Sequence, residues 1–95
     1  GAEKTAAAVT IRSVTWRGLR CSVVADGAAP GQRVDIRTKA ALASSSLAAS
    51  DKPLDGGKAS LAVADAEHMG AAAVVVVLSA EGEVLHKQVT TVGGN

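Results

Sequence analysis

The chain has 95 residues, 47% of them hydrophobic and 20% charged, with a formal net charge of +1; this suits one globular domain with a core and is too short for two. Its aromatic content is a single ring, Trp16, with no Phe and no Tyr. That excludes base-stacking readers of single-stranded nucleic acid, aromatic cages for cations and proline-ligand grooves, all of which need several rings.

The N-terminal Gly1-Ala2-Glu3-Lys4-Thr5 has neither an initiator Met nor a charged-then-apolar signal pattern. Residues 1–8 are therefore expected to be a flexible segment at the start of a piece of a longer protein. The β-branched stretch 9–16 reads as a first strand in which Val9 and Ile11 share one parity and Val14 and Trp16 the other, so a bulge is expected near Ser13. After the break at Arg17-Gly18, residues 19–25 alternate cleanly, with Leu19, Cys21, Val23 and Ala25 on the inner face. The segment 26–31 has turn chemistry, supplied by Gly27, Pro30 and Gly31. Residues 33–39 follow with strict period two, as in a strand buried on one face.

Residues 40–50 mix alanines that favour helix with serines that favour loop, and are read as a loop with one short element; whether 42–47 is strand, helix or loop stays open. A connection at 51–57 leads to a strand at 58–64 with Ala59, Leu61 and Val63 inward, and 65–70 turns the chain. The apolar run 71–78 has eight residues, far short of the ~20 that span a bilayer. It predicts a strand covered on both faces, or one whose outer face carries small residues, and no membrane insertion. Ala80-Glu81-Gly82-Glu83 is expected to be a hairpin turn with left-handed glycine. The last strand runs from Val84 towards Val92, and 93–95 form a tail. Six to seven strands with Gly or Pro between them indicate an all-β sandwich occupying residues 9–92.

The order of these elements, above all Lys58-Ala59-Ser60-Leu61-Ala62-Val63 followed by the 71–78 strand, Glu81-Gly82 and the 84–92 strand, resembles an immunoglobulin-like or fibronectin type III-like antiparallel β-sandwich. The resemblance covers nearly the whole chain and its motifs are unspecific. Antibody-type domains carry a cysteine pair and a Tyr near the penultimate strand, both missing here. Val14-Thr15-Trp16-Arg17-Gly18-Leu19-Arg20-Cys21 together with Thr90-Thr91-Val92-Gly93-Gly94 is also faintly similar to the terminal region of PglZ-type phosphatase-like proteins of bacterial phage-defence systems. That similarity implies an accessory sandwich beside a catalytic domain elsewhere in the parent chain.

No candidate chemistry outweighs its structural reading. Asp65-Ala66-Glu67-His68 groups oxygen and nitrogen ligands, but matches no metal template and reads as a polar turn. His86, alternating with Val84, Gln88 and Thr90, is expected to be exposed. Ser44-Ser45-Ser46 lacks a nucleophile elbow and reads as a solvated loop. Gly56-Gly57 lacks the Lys-Ser/Thr ending of a phosphate loop. Cys21, the only cysteine, can form neither an intrachain disulfide nor a multi-Cys zinc site and is in phase with core residues. It inclines the reading slightly towards a cytoplasmic rather than an extracellular setting, and the compartment stays open. Trp16 is expected in the core, with an exposed partner anchor as the alternative.

Charge gives the best functional hint. Residues 1–50 carry seven basic and three acidic side chains, residues 51–95 three and six. Cross-strand pairing should cancel much of this asymmetry. Arg33, Arg37 and Lys39, interrupted by Asp35 on the outer face of the third strand, are the candidate partner-binding residues. The expectation is a bacterial, non-catalytic accessory or protein-interaction module without cofactor or metal, binding other domains of its parent or a protein partner through a sheet edge or outer face. Two alternatives are a domain that positions nucleic acid or substrate for a catalytic domain elsewhere in the parent, and an extracellular adhesion or surface module. Nucleic-acid binding by charge alone would be weak and strongly salt-dependent.

Overall fold

A computed structural model describes residues 8–39, 46–50 and 53–94. These form seven strands: β1 (Thr10–Arg17), β2 (Arg20–Asp26), β3 (Arg33–Thr38), β4 (Ser46–Ala49), β5 (Lys58–Ala62), β6 (Ala72–Leu78) and β7 (Val84–Thr91), with one 3-10 turn at Ala66–His68. All pairings are antiparallel and build a two-sheet sandwich, with order β1-β2-β5 in one sheet and β4-β3-β6-β7 in the other. The flexible segment expected at 1–8 lies outside the described residues except for Ala8, as do residues 40–45 of the ambiguous stretch. The part of that stretch that is described is a strand: β4 pairs with β3 at the sheet margin, so Ser46 opens a strand and does not lie in a loop.

The parity change in the first strand has the expected cause. Ile11 pairs with Ala25 and Ser13 with Val24, which makes Arg12 the extra residue of a bulge. Val9 and Ile11 therefore enter the core before the bulge and Trp16 after it. On β2 the buried residues are Cys21, Val23 and Ala25. Leu61 of β5 lies beside Cys21 in the same sheet, and across the sandwich from them are Val34 and Ile36 of β3 and Ala73, Val75 and Val77 of β6. β6 is buried on both faces, since Val74 and Val76 are also covered. Of the two arrangements that the apolar run left open, this is the strand covered on both faces.

Two turns depend on glycine. Asp55 and Lys58 form an isolated antiparallel bridge around Gly56 and Gly57, both at positive φ, and a Cβ on Gly57 would lie 2.3 Å from the Ala25 carbonyl oxygen. Gly82 closes the β6–β7 hairpin at φ 92°, the left-handed conformation expected there.

Candidate functional site

The margins of the sandwich decide which groups are free to act. β1 and β7 belong to different sheets and meet along one margin. Two side chains of β7 fasten it. The Ile11 backbone N–H donates to His86 Nδ1 (3.0 Å), and Trp16 Nε1–H donates to Thr90 Oγ1 (2.9 Å). His86 is thus half-buried and structural, which corrects the expectation of an exposed side chain. The bulge and β1's position at its sheet margin leave the Ile11 amide in need of an acceptor, and the imidazole supplies it. Trp16 is 2% exposed and belongs to the core, with its one polar atom satisfied.

The predicted basic row does not form an open stripe. Arg33 is exposed and reaches the Ser50 carbonyl at 3.5 Å. Arg37 is half-buried, and its Nε donates to Asp35 Oδ2 at 2.8 Å. Asp35, 6% exposed, also accepts a hydrogen bond from the Ser46 hydroxyl. A nearly buried carboxylate must keep such partners, so Arg37 is engaged inside the sheet face. Lys39 is exposed and follows the end of β3.

The remaining candidates separate in space. Cys21 is fully buried, and burial pushes its thiol up to about 11. Asp65 caps the 3-10 turn by accepting from the Glu67 N–H, and His68 ends that turn. Among the described residues no three His, Cys, Asp or Glu side chains gather as a metal-binding group.

No family model, curated protein or solved structure matches the chain. Its surfaces must therefore be read by their own chemistry.

The feature that sequence reasoning missed is apolar. Of the large hydrophobic side chains exposed among the described residues, Val84 (48%), Leu85 (42%) and Val89 (61%) all lie on β7, the last strand of the four-stranded sheet. Leu85 sits where the β6–β7 register slips between Val77 and Leu78. Met69, the fourth, packs over Gly93, just beyond the C-terminal end of the same strand. The sequence held a signal, because Leu85 and Val89 are out of phase with the inward His86 and Thr90. Only the sheet order places their strand at a margin.

Proposed function

We propose that this chain is an immunoglobulin-like, non-catalytic interaction module that docks a protein partner on the edge and outer face of β7. The observation carrying this reading is the concentration of exposed Val84, Leu85 and Val89 on one edge strand. Natural edge strands are usually blunted by charge, Pro or a covering element. β7 carries one charged residue, Lys87, and no Pro. A partner that laid an apolar surface over the outer face here, beside the border that β1 already covers, would desolvate three side chains at once.

The immunoglobulin-like part of the proposal rests on strand order. β1, β2 and β5 share one sheet and β3, β6 and β7 the other, as strands A, B, E and C, F, G do in that architecture. β4 joins β3 here, whereas constant-type domains place their fourth strand on the first sheet. The non-catalytic part is supported by the commitments of the reactive side chains. Cys21 is buried, His86 Nδ1 accepts from the backbone, and Asp35 is held by Arg37 and Ser46.

A photo-crosslinking residue placed in the full chain at position 89 should trap one discrete protein adduct in the native cell, and Leu85→Lys should abolish it. The same probe at position 15, on the other sheet, should give none. Equal trapping from both positions, or none from 89, would refute docking on β7.

A further inference from the structure

We infer that the outer face of the β1-β2-β5 sheet is a second, separate surface that binds the phosphate backbone of double-stranded nucleic acid without reading its sequence. The β1–β2 hairpin places Arg17 directly opposite Arg20, and the third residue of that row is Ala62. Both arginines are exposed. Among the described residues their one side-chain bond is from Arg20 Nη1 to Ser60 Oγ at 3.2 Å, and no acidic side chain stands in the row. Like charges directly opposite each other on a sheet destabilise it. The pair thus forms a local excess of positive charge that a bound anion would relieve.

The neighbouring row supplies uncharged donors. Thr15, Ser22 and Ser60 lie in register across the three strands, all exposed. A shallow groove of about 440 Å³ runs along this row, lined by Ser22, Val24, Asp55, Lys58 and Ser60. Arg12, at the bulge, adds a further cation, 3.5 Å from Asp26. Arginine forks and hydroxyl groups are the usual donors to phosphate oxygens. The face has no aromatic ring for base stacking, since Trp16 points into the core. Among the described residues it has no large exposed apolar anchor of the kind that protein hot spots need. These features favour backbone contact with a duplex over an acidic protein segment.

The test is fluorescence anisotropy of a labelled random-sequence DNA duplex with the intact chain, titrated between about 50 and 200 mM salt. Wild type should bind with a log–log salt slope of about −2 to −3, corresponding to two or three phosphate contacts. Arg17→Glu with Arg20→Glu should weaken binding at the lower salt by roughly tenfold or more. Lys39→Glu with Lys87→Glu changes the net charge equally on the opposite sheet and should leave affinity within about threefold of wild type. Trp16 emission reports that each variant is folded, and Arg17→Gln with Arg20→Gln repeats the test if the charge reversal unfolds the chain. Absence of salt-sensitive DNA binding, or equal loss in both double variants, would overturn the proposal. So would tighter binding to polyglutamate or heparin than to DNA.

Discussion

Cys21 shows how a side chain's neighbours decide its chemistry. Arg20 precedes it and Arg17 lies opposite Arg20, a sequence context that would suit an activated thiolate. Alternation turns both guanidinium groups to solvent and the sulfur into the core, where burial raises the thiol from 9.0 to about 11. The folded state therefore holds the proton at a pH where the unfolded chain releases it. Stability is fully present below pH 9.0 and is lost as the pH rises towards about 11. Urea denaturation across that window should show a fall of ~2 kcal/mol that Cys21→Ala lacks. Alkylation of the native protein at neutral pH should proceed only as fast as the chain opens.

At the level of single elements, much was legible because local pattern and tertiary demand agree. The parity break in β1 announced its bulge, and the unalternating valines of β6 announced burial on both faces. Deleting Arg12 would remove the bulge yet leave Ile11 opposite Ala25 and Ser13 opposite Val24, so that Val9, Ile11 and Trp16 keep their inward direction on a regularly alternating strand. The fold should survive the deletion, with a shift in the denaturation midpoint far below the roughly 3–6 kcal/mol that turning two aliphatic side chains out of the core would cost. The functional surfaces were less legible, for a physical reason. Arg17 faces Arg20 through the local β1–β2 hairpin, but Lys58 joins their face only because β5 pairs with β2, a contact that no local pattern encodes. The third-strand row seemed more basic in sequence than it is in space, since Asp35 is drawn in with Arg37 and Ser46. The role of His86 was hidden in the same way, because its partner lies 75 positions away.

For the molecule as a whole, the two sheets are fastened at one margin by polar bonds from β7 and meet along the other through β4 and β5. His86→Leu keeps the bulk but leaves the Ile11 N–H without its acceptor, and should cost about 1–3 kcal/mol. Thr90→Val should cost less, because Trp16 remains packed, and the double variant should fall short of additivity if the two bonds close one margin together. This fastening also governs the order in which the fold can be completed. The acceptors for Ile11 and Trp16 both reside on the seventh strand, so a chain emerging from the ribosome has its first strand long before the groups that secure it. Until that strand arrives, β6 presents an unpaired border of consecutive valines. A nascent chain stalled before Val84 would thus expose an aggregation-prone edge. Synthesis of the last eight-residue strand both closes the sandwich and hides its most adhesive segment.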